Sequence, residues 1–213
     1  MATLSQEKKY AEILFIQMGG TIDKTYPRTK NGYSFEIGDP AFQKILDKVR
    51  PSLAFKFKSK TVCQKDSQEI DSNDRWDNQP FCAKIQILVL FRHLLLKTIK
   101  ESTCSKIIVT HGTDTIIETA RFLETNLMEA NRLNLKVILT GSFLPEKFKD
   151  SDADFNLGMA LGAALQDISS LEVKSHDEKS QVLIALNGLL IPAYRASRNQ
   201  EGMFMIKDQT IFT

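Results

Sequence analysis

The segment Lys106-Ile-Ile-Val-Thr-His-Gly-Thr-Asp-Thr115 runs from a β-branched apolar tract straight into a hydroxyl-rich loop. A helical pattern follows at once, with Ile116, Ile117, Ala120, Leu123 and Leu127 on one face. That order is the strand–loop–helix passage of an open α/β sheet, in which ligands bind outside the carboxyl ends of the strands. His111 to Thr115 then occupy the position where chemistry is expected. A second stretch, Ile13-Leu-Phe-Ile-Gln-Met-Gly-Gly-Thr-Ile-Asp-Lys24, has the same shape and also ends in a threonine and an acid.

Outward from these two passages the same alternation continues. Glu12–Gln17 reads as a short buried strand. Residues 24–38 form a loop, with a small hairpin suggested at Asn31-Gly32. Asp39-Pro40 opens a helix to about Arg50, Asp39 as N-cap and Pro40 in the first turn. Ala54–Cys63 alternates as a half-exposed strand, and Lys65–Asn73 is a polar loop. Pro80 to about Lys100 is helical in composition, and Lys136–Thr140 is a third apolar strand. A helix then runs from Asp152 to Ile168 with Leu157, Leu161, Ala164 and Ile168 buried. After a charged connection, Ser169–Ser180, a fourth strand, Gln181–Leu186, ends at Asn187-Gly188. The remainder is a tail with one short alternating piece, Met203–Ile206. Strands alternating with helices imply right-handed crossovers. The expected fold is α/β: a mostly parallel sheet with helices on both faces, a flavodoxin-like three-layer single domain over 11–213 after a loose segment 1–10.

Composition narrows the function classes. The 213 residues are 42% hydrophobic, enough for a real core, and the formal net charge is only +2. Such a balance gives no basis for a nucleic-acid or membrane-surface partner. The longest apolar run, Ile85–Leu96, is broken by Gln86, Arg92 and His93 and is shorter than the ~20 residues of a membrane span. Cys63, Cys82 and Cys104 are odd in number and lack CxxC spacing, which argues against a disulfide framework or a zinc site. The amino terminus has no signal-peptide core. A cytoplasmic protein without cofactor or metal is expected.

The polar loops carry the candidate chemistry. Thr21 follows Gly19-Gly20, where backbone can turn tightly beside a ligand, and a threonine hydroxyl becomes a nucleophile once a base takes its proton. The competing account is a turn threonine with glycines needed for geometry. Thr113-Asp114 sits at a helix entrance, where helix capping is the bland alternative. Thr110, Thr113 and Thr115 nevertheless supply more hydroxyls than one cap uses. Ser67-Gln68 can donate hydrogen bonds to a carboxylate. His111 lacks the G-x-S-x-G setting of a hydrolase triad, and His93 and His176 have no ligand partners in sequence.

Taken together, Gly19-Gly20-Thr21-Ile22-Asp23, Asp66-Ser67-Gln68, Thr110-His-Gly-Thr-Asp-Thr115, Leu139-Thr-Gly-Ser142 with Pro145, and Ser151-Asp152…Phe155-Asn156-Leu157 resemble, in order, the motifs of bacterial-type L-asparaginases. The chain resembles the amino-terminal catalytic domain of that family from about residue 12 to 206, and most of all its short members. Asn187-Gly188, Asn199 and Gly202-Met-Phe204 give a similar ending. The resemblance implies hydrolysis of the side-chain amide of L-asparagine, or a related small amino-acid amide, to the acid and ammonia. Thr21 would be the nucleophile of a threonine acyl-enzyme and Thr113 the second catalytic threonine. Asp114 would hold the substrate α-ammonium, and Ser67 with Gln68 the α-carboxylate. The Ser142 carbonyl would face the leaving nitrogen. Tyr33 is matched to the family's active-site tyrosine, with Tyr26 as the competing choice.

Two departures accompany the resemblance. The family lysine that pairs with the second threonine aligns with Arg198, and no lysine lies between Asn187 and Ile206. An arginine can polarise Thr113 or stabilise an oxyanion but cannot act as a base. The carboxyl-terminal domain of longer members is expected to be absent. A homo-oligomer, specifically a dimer, is the expected assembly. The stretch Trp76–His93, longer than the family needs, offers either an interface or simply a buried helix face. The alternative to an active amidase is a catalytically weak or silent relative that binds aspartate or asparagine.

Overall fold

A computed structural model describes residues 10–26, 35–49, 53–64, 80–128, 135–166 and 180–207. Its elements in chain order are β1 (Ala11–Gln17), β2 (Lys24–Thr25), β3 (Glu36–Ile37), α1 (Ala41–Val49), β4 (Phe55–Thr61), α2 (Pro80–Glu101) and β5 (Lys106–Thr110). Next come α3 (Ile116–Met128), β6 (Leu135–Thr140), α4 (Ala153–Leu165), β7 (Ser180–Leu186), β8 (Leu189–Pro192), β9 (Ala196–Arg198) and β10 (Phe204–Ile206).

Six strands form the central sheet in the order β4-β1-β5-β6-β7-β8. The first five are parallel and β8 returns antiparallel. Because side chains alternate across a strand, each apolar strand supplies two cores. Ile13 and Phe15 of β1 pack with Phe42 and Leu46 of α1 and Leu157 and Ala160 of α4. Leu14 and Ile16 of the same strand pack with Leu95 and Ile99 of α2 and Ile116 and Leu123 of α3. Phe15 stacks on Phe42 with ring centroids 4.9 Å apart and meets the edge of Phe57 at 5.7 Å. The three-layer α/β fold expected from the sequence is the observed one.

The chain leaves β1 toward β4 on one side and returns to β5 on the other. Strand order therefore reverses between β1 and β5, which opens a crevice at their carboxyl ends. Register aligns those ends. Gln17 lies opposite Thr61 and Thr110, and Thr110 opposite Thr140, so the polar strand ends form one row.

Three local expectations change. Asp39 is exposed and does not lead the helix: α1 begins at Ala41, whose N–H donates to Asp23 Oδ1 at 2.7 Å. The cap thus comes from the loop after β1, which ties that loop to α1. The region after Asn187-Gly188 is not an irregular tail. Asn187 (φ 52°) and Gly188 (φ 78°) make the left-handed pair of a tight hairpin turn, and β8 pairs with β7. On α4, Leu161 is partly rather than fully buried, whereas Ala153, Asn156 and Ala160 are buried. β2 and β3 do pair antiparallel. The Asn31-Gly32 turn between them, Lys65–Asn73, Ile168 and nearly all of the 169–180 connection lie outside the described residues.

Candidate active site

Three strand-end loops meet at the crevice, and they meet through glycine. Gly20 has φ 95°, and a Cβ there would stand 2.3 Å from the Gly112 nitrogen. A Cβ on Gly141 would stand 2.4 Å from the His111 carbonyl oxygen. Any side chain would therefore hold the loops after β1, β5 and β6 apart. The contact is sealed by backbone: Met18 N–H donates to the Thr110 carbonyl (2.9 Å) and His111 N–H to the Thr140 carbonyl (2.8 Å). Beyond the glycines, Thr21–Asp23 and Thr113–Thr115 each form one 3-10 turn, the second running directly into α3.

The capping account of Thr113-Asp114 does not hold. The residue at the cap position is Gly112, and no side chain hydrogen-bonds the turn's amides there. Thr113 is buried, while Asp114 is exposed. Thr21, Thr113 and Asp114 line one open-mouthed cavity of about 60 Å³. Its other walls include Lys24, His111 and Thr119, with Phe91 and Arg92 of α2.

Of the remaining sequence candidates, Ser142 is buried and is not among the residues that line the cavity. Its hydroxyl donates to the Leu144 carbonyl. The Asp152 carboxylate accepts from the amides of Phe143 and Leu144. Asn156, wholly buried, donates to the Gly141 carbonyl at 3.0 Å and accepts from Asn187 N–H at 2.9 Å. Arg198 also lies outside the lining. Its guanidinium donates to the main-chain carbonyl of Thr113 and sits over the Phe204 ring, 4.5 Å from the centroid. Phe204 is in turn buried, pairs with Arg198 across β9–β10 and touches the Phe143 ring. Ser67, Gln68 and Tyr33 lie outside the described residues. Tyr26 packs on Phe35 and Phe148, away from the cavity.

Burial dominates the electrostatics. His111 is pushed down to about 4, so at neutral pH it is an uncharged imidazole with Nδ1 2.9 Å from the Gly112 carbonyl. The carbonyl can only accept, which puts the ring proton on Nδ1. Asp23 is pushed up to about 6, again by burial, against the opposing pull of Ala41 N–H and the nearby Gln17 and Thr110 side chains; among the described residues no well-formed hydrogen bond reaches its Oδ2 or Thr110 Oγ1. A protonated Asp23 has a donor to offer, which relieves part of that cost. Among the described residues no group of three or more His, Cys, Asp or Glu is arranged to hold a metal ion.

Sequence reasoning overlooked the α2 wall. Arg92 stood out only as an interruption of an apolar run, yet it faces the cavity and its Nε donates to Thr119 Oγ1 at 3.1 Å. The usable signal was its spacing. Leu88, Arg92, Leu95 and Ile99 share one helical stripe, and an arginine on a buried stripe requires a reason.

No helix among the described residues is long and apolar enough to cross a membrane. No curated protein matches the chain. Among solved structures with a similar fold is the thermostable L-asparaginase from Thermococcus kodakarensis, 23% identical with a TM-score of 0.58, the match covering 92% of this chain and 51% of that one. Another is L-asparaginase I from Vibrio cholerae O1 biovar eltor, 20% identical with a TM-score of 0.59, covering 93% and 52%. At these identities the likeness is one of fold, and the chain spans about half the length of either relative. The family description "Asparaginase, N-terminal" fits residues 12–205, and on that match the chain belongs to the asparaginase family.

Proposed function

We propose that the protein is an amidohydrolase of the L-asparaginase type, releasing ammonia from the side-chain amide of L-asparagine or a related small amino-acid amide. The observation that carries this is the shared cavity of Thr21, Thr113 and Asp114, on two loops pressed together at Gly20 and Gly112. Thr21 Oγ attacks the amide carbonyl carbon. Its proton passes to the departing nitrogen, which leaves as ammonia, and water then cleaves the resulting ester to restore the hydroxyl. Asp114, exposed at the cavity, takes the substrate ammonium. Ser67 and Gln68 take the carboxylate, the main-chain carbonyl of Ser142, next to the Gly141–His111 contact, faces the leaving nitrogen, and Tyr33 serves as the active-site tyrosine.

The test is ammonia release from L-asparagine by purified protein and by Thr21→Ala. Release by the wild type, abolished in the variant, supports the reading; equal behaviour of the two sinks it.

One observation favours a second reading, a ligand-binding relative that turns over slowly or not at all. Arg198 donates to the carbonyl of Thr113 rather than serving its hydroxyl, and a guanidinium does not give up its proton near neutral pH. Calorimetry would then show aspartate binding without turnover. The assembly that accompanies either reading is a cytoplasmic homodimer. The exposed Val89, Leu90 and Leu94 of α2 are consistent with a homodimer, and sedimentation tests it.

A further inference from the structure

The α2 helix delivers a cation to the cavity, at a position where its stripe otherwise buries hydrocarbon. Leu95 and Ile99, one and two turns further along, are fully buried, and Leu88 and Phe91 line the cavity wall beside Arg92. Arg92 is half-buried, and burial pulls its guanidinium below the ordinary arginine value without discharging it. Among the described residues only Nε is engaged, by the hydroxyl of Thr119, itself buried on the facing helix. No ion pair to Arg92 exists among the described residues, although Glu118 lies near enough to be felt electrostatically.

A tie between α2 and α3 would need one neutral hydrogen bond. It would not need a charged, forked group whose outer nitrogens meet no carboxylate among the described residues. Buried charges are normally paired, and a planar guanidinium is shaped to take a carboxylate through two parallel hydrogen bonds. The same cavity holds one exposed acid, Asp114. A cation and an anion lining one cavity suit an α-amino acid head group.

We propose that Arg92 is a specificity-determining residue that supplies positive charge for the substrate carboxylate in the cavity it shares with Asp114, with Thr119 fixing its orientation. This rests on the amidohydrolase reading and adds to it. Ser67 and Gln68 are neutral donors; Arg92 makes the site prefer amides that carry a carboxylate over those that do not.

Three amides separate the roles: asparagine, succinamate (the same skeleton without the amine) and 3-aminopropanamide (the same skeleton without the carboxylate). In Arg92→Gln, KM for asparagine and for succinamate rises by about tenfold or more, the scale of one lost charge-assisted hydrogen bond, with kcat little changed. The kcat/KM for 3-aminopropanamide stays where it was, and Arg92→Lys recovers part of the loss. An equal effect on all three amides, or none on any, overturns the proposal, the first outcome assigning Arg92 to helix packing alone. If the wild type releases ammonia from no amide, the amidohydrolase reading fails by itself. Calorimetry with succinate then decides for Arg92: binding weakened about tenfold in Arg92→Gln upholds it, whereas unchanged or undetectable binding overturns it.

Discussion

The guanidinium of Arg198 donates to the main-chain carbonyl of Thr113 while sitting over the Phe204 ring, 4.5 Å from its centroid. Phe204 packs into the same core as Ile116 and Leu123, so the arginine braces the Thr113 turn against the sheet. Its grip is on backbone, and the Thr113 hydroxyl is left without a base from this side.

Arg198→Lys is accordingly expected to raise kcat for ammonia release by at least about tenfold, well within the ~10²–10⁴-fold that a positioned base supplies. A lysine can lose its proton in a partly buried site, as arginine cannot. The same change loses the guanidinium over Phe204 and should lower stability by about 1 kcal/mol. Steady-state kinetics and thermal melting read the two effects separately. An unchanged kcat in a folded Arg198→Lys protein would show that the missing base does not limit turnover.

Gly20→Ala should be far more damaging than its single methyl suggests. The new Cβ would meet backbone on the opposite loop at 2.3 Å, and the residue would have to keep φ at 95°. Backbone cannot swing aside as a side chain can, so a loss of several kcal/mol is expected, from strain of roughly 1–2 kcal/mol plus the clash. Gly162→Ala on the exposed side of α4, with nothing within 4 Å, should instead stabilise by about 0.5–1 kcal/mol. Denaturant titrations of both variants measure the contrast, and similar midpoints would refute the packing of the two loops.

Sequence legibility followed the range of the interactions. The strands were readable because both faces of β1, β5 and β6 are buried, which leaves unbroken apolar runs. The loops were readable because glycines and hydroxyls mark them. The α1 cap was not, since Asp39 is adjacent in sequence whereas Asp23 reaches Ala41 only through the folded loop. The Asn187-Gly188 hairpin was overlooked for a different reason. Its signal is local and strong, but β8 runs antiparallel in an otherwise parallel sheet, against the pattern the rest of the chain suggests. Arg92 was only half legible: its spacing puts it on the stripe of Leu95 and Ile99, but that this stripe reaches the cavity is set by the packing of α2, which no spacing rule gives.

Asn156 holds three elements with one side chain. It donates to the Gly141 carbonyl and the Asp152 carboxylate and accepts from Asn187 N–H. Asn156→Leu has a similar volume but leaves buried backbone groups without partners, at ~1–3 kcal/mol each. A total near 3 kcal/mol is expected, read as a fall in the urea midpoint. Asn156→Asp should be no better, because a carboxylate cannot donate to Gly141 and would face Asp152. A near-normal midpoint in Asn156→Asp would mean that the network is not what holds the β6 loop.

The two buried titratable groups beneath the site pull stability in opposite directions with pH. His111 falls from an ordinary 6.5 to about 4 on folding. The unfolded chain binds its proton more readily, so this contribution grows as pH rises through the interval between those values. Asp23 rises from 3.8 to about 6, so the folded chain holds that proton more readily, and the contribution shrinks as pH rises over nearly the same interval. Each swing is on the order of 3 kcal/mol, and in the wild type they largely cancel. Asp23→Asn keeps an oxygen for Ala41 N–H and gains a donor for Thr110, while removing one of the two titrations. Its stability should therefore climb steeply from pH 4 to 6.5, diverging from the flatter wild-type profile. Urea midpoints measured across that range for both proteins give the difference directly, in which groups common to both drop out. Parallel profiles would mean that the Asp23 carboxyl is ionised in the folded protein throughout.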